Sequence, residues 1–235
     1  MKLKFVCVNG NKERLLKAFR FRYQIFCIEK KFYDKNNYKN KIETDIYDKY
    51  SLHFAAFDED ENIVGYVRVV CNSKEGYPIE KLCPYPVTLN QKDSRKNIAE
   101  ISRLAIDKRY RVHTNREGIN EFQQSNLMPL SVIKKFCASR IQMGLYRFVY
   151  YACTELNITH LYAVMEKTLF DCLLQTSIEF KILGTEFDNH GMVAPYIGKV
   201  SASRQSLFSD RQLLFFTAEN ILKSPIINRV FFIAS

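Results

Sequence analysis

Four groups of arginines and carboxylates are set among apolar residues between positions 22 and 103, and they constrain the fold more than anything else in the chain. They are Arg22-x3-Phe26, Glu43-x-Asp45-x2-Asp48, Arg68 within a strand-like run, and Glu100-Ile-Ser102-Arg103. A charge placed in an apolar segment is expensive to bury unless it is paired or put to chemical use. A fold for this sequence has to answer for all four groups.

At 235 residues the chain suits one large domain, or a domain with an added subdomain, and has ample core to bury. Its 47% hydrophobic and 26% charged residues are those of an ordinary globular protein. No stretch approaches the roughly 18 to 20 uninterrupted apolar residues of a membrane span, and the apolar run near the N-terminus is too short for a secretory signal. The seven cysteines are scattered and never spaced C-x2-C. They read as reduced, mostly buried thiols of a cytoplasmic protein, neither a disulfide framework nor a zinc site. The formal charge of +10 asks for an anionic partner. Nucleic acid is disfavoured, because the basic residues form no tail and no nucleic-acid-binding signature accompanies them. An ordinary solvated basic surface is the plain alternative.

Leu15, Leu16, Phe19, Tyr23 and Phe26 recur at three- and four-residue spacing, which predicts a helix over 11–28 with Asn11 as N-cap. Arg22 falls beside Leu15, at the edge of that apolar stripe. Residues 29–50 are polar and read as a loop or flap. Strands over 52–57 and 63–70 form a hairpin across the acidic turn 58–62, and 72–97 reads mostly as loop. Beyond it come a strand over 98–106, helical character over 129–156 with a break at Gly144, and a strand over 158–165. A helix over 166–175, strands over 178–187 and 192–197, and an amphipathic segment from about 206 to 222 complete the order. The sequence of elements indicates an α/β protein, a mixed sandwich.

Arg68 shares a strand face with Val64, Tyr66 and Val70, by the period-two rule. Glu100 and Arg103 differ in parity, so both reach one site only across a β-bulge. Judged alone, they are equally well a structural ion pair. Asp45 and Asp48 are equally ordinary as loop acids. The four histidines show no ligand spacing and read as surface or satisfied core residues.

The ordered series R-x3-F, E-x-D-x2-D, strand arginine and E-x-S-R resembles the acyl-homoserine-lactone synthase branch of the GNAT acyltransferases. The finer resemblance is to the N-acyl amino acid synthases and exosortase-associated acyltransferases, carried by RYQIFCIEKKF, ETDIYDKYSLHF, AEISRLAI, ELNITHLYAVMEKTLFDCLLQTSIEFKILG and HGMVAPYIG. It spans roughly residues 10 to 200. It implies a GNAT-like αβα sandwich over 1–200, whose central mixed sheet is splayed into a V that admits the acyl donor. Residues 201–235 would be an amphipathic extension packed on the same domain.

In that family the donor is usually a fatty acyl chain on acyl carrier protein, and the acceptor is the amine of an amino acid or related compound. Carried over by position, Arg68, Ser102 and Arg103 would contact the phosphopantetheine or thioester. Glu100 would assist deprotonation of the amine, and Arg22, Phe26, Glu43, Asp45 and Asp48 would order the flap over the acceptor. The homoserine-lactone synthases carry a tryptophan near the flap, whereas this chain has none. Phe32 or Tyr33 would fill that volume, which favours the N-acyl amino acid side. No Ser-His-Asp or Cys-His constellation is evident, so direct attack of the amine is expected.

The glycine-rich loop that holds coenzyme A pyrophosphate in related acetyltransferases is missing after residue 106, where a polar segment contains only Gly118. Acyl carrier protein, which is acidic, is thus the expected partner, bacterial and cytoplasmic. Lys108, Arg109, Arg111, Lys134, Lys135, Arg140 and Arg147 are docking candidates. No tightly bound cofactor or metal is expected, with acyl-phosphopantetheine or acyl-CoA as co-substrate. Three further readings stay open: acyl-homoserine-lactone synthase, acyl-CoA-dependent N-acetyltransferase, and a non-catalytic carrier-protein-binding module.

Overall fold

The acidic turn of the hairpin closes as its sequence suggests: Asp58 donates its backbone N–H to Asn62 O, and its Oδ1 accepts the N–H groups of Asp60 and Asn62. The computed structural model that shows this describes residues 3–87, 95–111, 140–175 and 179–200. The hairpin strands, β2 (Ser51–Phe57) and β3 (Ile63–Cys71), are buried along their whole length. Near-continuous burial of this kind requires a layer on each sheet face.

One layer is α1 (Lys12–Arg22), which follows the edge strand β1 (Lys4–Cys7). Its cap is the expected one, with Asn11 Oδ1 accepting the Arg14 N–H. The helix then changes winding and continues as a π-helical turn over Tyr23–Glu29 that buries Tyr23, Ile25, Phe26 and Cys27. The opposite layer is a helix over Arg140–Glu155, where Ile141, Leu145, Phe148 and Val149 pack on Leu52, Phe54, Val67 and Val69. Val64 joins that core and departs from the face its parity assigned. Gly144 does not break this helix. A Cβ there would lie 2.0 Å from Phe5 Cζ, so the glycine admits the ring against the helix backbone.

Residues 72–97 hold more than loop. A short helix, α2 (Pro78–Leu82), starts from Tyr77 with its first turn closed by Glu80, which accepts the Tyr77 N–H. β4 (Ile98–Ile106) runs antiparallel to β3 and parallel to β5 (His160–Met165). In chain order the Arg140–Glu155 helix is α3, and α4 (Lys167–Gln175) follows β5. The strand expected over 178–187 is two short ones, β6 (Phe180–Ile182) and β7 (Phe187–Asp188), both paired with β8 (Met192–Lys199). The sheet order is β1-β2-β3-β4-β5-β8-β6, with β7 beside β8.

Two irregularities in β4 open this sheet. Tyr66 pairs with Ala105 but Arg68 pairs with Ser102, so Arg103 and Leu104 together face Val67 across a β-bulge. Arg103 takes φ +55°, the left-handed region that a side chain enters at some cost. On the other side, β4 pairs with β5 only from Ile98↔His160 to Ile101↔Ala163. Past that point the two strands separate, which makes the V. No helix among the described residues is long and apolar enough to cross a membrane. The segment 201–235, Lys134 and Lys135 lie outside the described residues.

Candidate active site

The register places His53, Arg68 and Ser102 side by side across β2, β3 and β4, with Ser51, Val70 and Glu100 as the next row on the same face. The flap then brings its carboxylates onto this face. Arg22 Nε donates to Glu43 Oε2 at 2.5 Å and Arg22 Nη1 to Asp48 Oδ1 at 2.5 Å. Arg68 Nη1 donates to Asp45 Oδ1 (2.6 Å) and Asp48 Oδ1 (2.8 Å), while its Nε donates to Ser102 Oγ (2.9 Å). Arg103 Nη2 completes the set, reaching Glu43 Oε1 at 3.2 Å and Asp45 Oδ2 at 3.1 Å. Three arginines and three carboxylates thus form one closed, electrically balanced cluster. Arg22 Nη2 finds no oxygen among the described residues, but its guanidinium lies 5.2 Å from the Phe19 ring centre and 5.7 Å from that of Tyr66.

The burial of this cluster sets its electrostatics. Burial alone would raise the Asp48 carboxyl, yet the Arg22 and Arg68 guanidiniums hold it well below the usual range. His53, 1% exposed, bonds through Nε2 to Asp48 O (3.0 Å) and through Nδ1 to Tyr66 OH (2.6 Å). A carbonyl only accepts, so Nε2 carries the hydrogen and Nδ1 accepts from the tyrosine. Burial pushes His53 down to about 4 from 6.5, against the pull of Asp48. The unfolded chain therefore binds a proton near pH 6.5 that the folded chain refuses until about 4. Stability is expected to fall as pH drops through that window, by about 3 kcal/mol from this residue. Denaturant midpoints measured from pH 7 to pH 4 check the slope.

Glu100 stands apart from the cluster. It is 2% exposed, and its Oε2 accepts the Ile79 N–H of α2 at 2.8 Å. Burial pushes its carboxyl up to about 8, while the Ile79 N–H, Arg68 and Arg103 oppose the shift. A carboxyl in this range takes and releases protons near neutral pH. Burial raises the Cys27 thiol to about 11, which disfavours a thiolate there near neutral pH.

Glu100, Ser102 and Arg103 line a cavity of about 800 Å³ that opens where β4 and β5 part. Phe26, Phe32, Tyr33 and Asp45 line it on the flap side. Apolar side chains line it further along, including Leu104, Tyr146, Met165, Leu169, Leu173 and Phe180. Arg103 is held over Tyr33 (4.8 Å to the ring centre) and Phe26 (5.7 Å). Arg22, Glu43, Asp48 and Arg68 do not line the cavity. Arg68 is fully buried and engaged by two aspartates and Ser102, so in this structure it holds the site together and does not reach a donor. Arg22, Glu43 and Asp48 likewise tie the flap to the sheet from beneath.

Several residues of the site gave no sequence signal. His190, read as an ordinary histidine, lines the cavity and stacks on Phe32 at 4.8 Å. The Ile79 N–H that holds Glu100 belongs to a helix hidden in an apparent loop. Among the proposed docking cations, Lys108 and Arg140 are exposed, and Arg109, also exposed, pairs with Asp107. Arg111 is engaged by Glu29 and Ile106 O, and Arg147 is half-buried.

An open mixed sheet thus splays between two parallel strands, with an ionisable carboxyl and an arginine at the splay. Residues 21–119, somewhat less than half of the chain, match the acetyltransferase (GNAT) domain family. The fold is similar to the acyl-homoserine-lactone synthase LasI, at 14% identity and a TM-score of 0.60, over 88% of this chain and 94% of that one. It is equally similar to BjaI, a CoA-dependent acyl-homoserine-lactone synthase solved with SAM and isopentyl-CoA, at 15% identity and a TM-score of 0.60 over 98% of both chains. TofI, solved in a ternary complex with an inhibitor and MTA, follows at 13% identity and a TM-score of 0.59, over 88% and 96%. At such identity the likeness is one of fold. No curated protein sequence matches the chain.

Proposed function

We propose that this protein transfers a fatty acyl group from a carrier-protein thioester to the amine of an amino acid. One observation carries the reading. The Glu100 carboxyl, raised to about 8, and the Arg103 guanidinium share the point where the sheet splays, at the head of a largely apolar cavity of about 800 Å³. That volume and lining suit a chain longer than acetyl.

An amine attacks a thioester only as the free base. Glu100, as carboxylate, accepts the proton from the ammonium group, directly or through one water. The nitrogen lone pair then forms the C–N bond and the carbonyl π electrons move to oxygen. Arg103, at the cavity wall beside Glu100, would supply the cation for that oxyanion, with the Ser102 hydroxyl as a second donor. When the oxyanion collapses, the C–S bond breaks and the thiolate departs with the proton returned by Glu100, while the second proton of the attacking nitrogen passes to solvent, which leaves a neutral amide and Glu100 again a carboxylate. The buried cluster behind Arg103 fixes its orientation through Glu43 and Asp45. Arg22, Asp48 and Arg68 act one step further back as positioning residues.

The charge of +10 suits an anionic donor, and the lack of a glycine-rich stretch after residue 106 to hold a pyrophosphate favours acyl carrier protein over coenzyme A. The test is turnover of long-chain acyl carrier protein and, separately, long-chain acyl-CoA with the twenty amino acids and S-adenosylmethionine. Thiol release with a new N-acyl amino acid supports the reading, and the faster donor decides between carrier and coenzyme. A lactone product from S-adenosylmethionine alone would replace it with the homoserine-lactone reading. Acetyl-CoA turnover without long-chain turnover would reduce it to an acetyltransferase.

A further inference from the structure

Glu100 and Arg103 address the amine and the thioester, but an amino acid also carries a carboxylate, which needs a cation. Both arginines that line the cavity are already committed. Arg103 is held by Glu43 and Asp45, and Arg111 by Glu29. Lys81 is different. It sits on α2 with Pro78 and Leu82, and this i, i+3, i+4 set is the helix face that lines the cavity. Among the described residues no carboxylate lies within ion-pair reach of its ammonium group.

The Lys81 Nζ instead stands 5.3 Å from the ring centre of Tyr47. Tyr47 also lines the cavity, is 7% exposed, and has a buried hydroxyl with no hydrogen-bond partner among the described residues. Leaving such a hydroxyl unpaired is unfavourable unless a ligand supplies the acceptor. Lys30 and Lys199 line the cavity too, without carboxylate partners among the described residues. Lys81 is singled out because its helix is the one hydrogen-bonded to Glu100, through Ile79. The α-carboxylate of an amino acid lies one carbon from the amine, so its cation must stand close to the base.

We propose that Lys81 and Tyr47 form a carboxylate-binding subsite that selects α-amino acids over simple amines. The inference rests on the proposed acyl transfer for its biological meaning, but its test does not need turnover. N-lauroyl amino acids and the N-lauroyl amides of the matching decarboxylated amines are titrated calorimetrically into the whole protein. The carboxylate-bearing member of a pair is expected to bind about tenfold or more tightly. Lys81→Met should erase that preference, Lys81→Arg should keep most of it, and Tyr47→Phe should weaken it with the thermal midpoint little changed. Equal binding of both members, a preference that survives Lys81→Met, or binding of neither overturns the subsite. A preference that depends on Lys81 without any acyl transfer would keep the subsite and discard the enzymatic reading. Acyl transfer with no carboxylate preference would do the reverse.

Discussion

Arg22→Met should destabilise the protein by about 3–5 kcal/mol, the usual consequence of removing one partner from a buried ion pair. Arg22 is fully buried and is the donor to both Glu43 and Asp48. Without it, Glu43 keeps only the longer contacts from Arg103, and Asp48 keeps Arg68. The desolvated negative charge then exceeds the positive by one. Denaturant unfolding of the variant measures the loss. Adding Glu43→Gln to Arg22→Met should recover a substantial part of it, because charge balance returns. A single-variant loss below about 1 kcal/mol would mean that the cluster opens to water easily.

Glu100→Gln should lower kcat by 10²- to 10⁴-fold, the range typical of a lost general base, with the fold intact. The amide oxygen can still accept the Ile79 N–H, so α2 keeps its anchor. The stability change has a definite sign. The Glu100 carboxyl sits near 8 in the folded chain against 4.5 for the free group, so the folded protein holds the proton more tightly. Its contribution to stability is full below pH 4.5 and is lost as pH rises towards 8. Glutamine does not titrate, so above pH 8 the variant is expected to be at least as stable as the parent. In the parent, kcat/KM should rise with pH through about 8 to a plateau, and the variant should lack that inflection. An unchanged rate in the variant would remove Glu100 from the chemistry.

Local regularities made much of the scaffold legible. The apolar spacing of α1, its Asn11 cap and the hairpin turn at Asp58 act through neighbours in sequence, so one chain segment carries the whole signal. The parity clash of Glu100 and Arg103 pointed to a bulge because strand geometry is rigid, and the register shift beside Arg68 supplies it. Other features depend on partners distant in sequence. The acidic motif of the flap gave no sign that Glu43 would reach Arg22 or Arg103, 21 and 60 residues away. Arg68 suggested a ligand contact because a strand arginine is equally suited to a ligand or a carboxylate, and only the folded flap decides between them. α2 was invisible since five residues beginning with proline carry no helical period. His190 is set against Phe32 by a turn whose position follows from the β7–β8 pairing.

The splay between β4 and β5 has a consequence for how such a protein can diversify. The cavity passes from one sheet face to the other, and its two ends are built from different parts of the chain. Flap residues such as Phe32 and Tyr33 wall one end, whereas Tyr146 of α3 and Leu169 and Leu173 of α4 wall the other. The short stretch from Glu100 to Arg103 lies at the splay between them. Under the proposed acyl transfer, mutations in α3 or α4 would retune chain length while leaving acceptor choice alone, and drift in the flap would do the converse. On that reading the fold would place the two selectivities on separate stretches of chain, free to change independently.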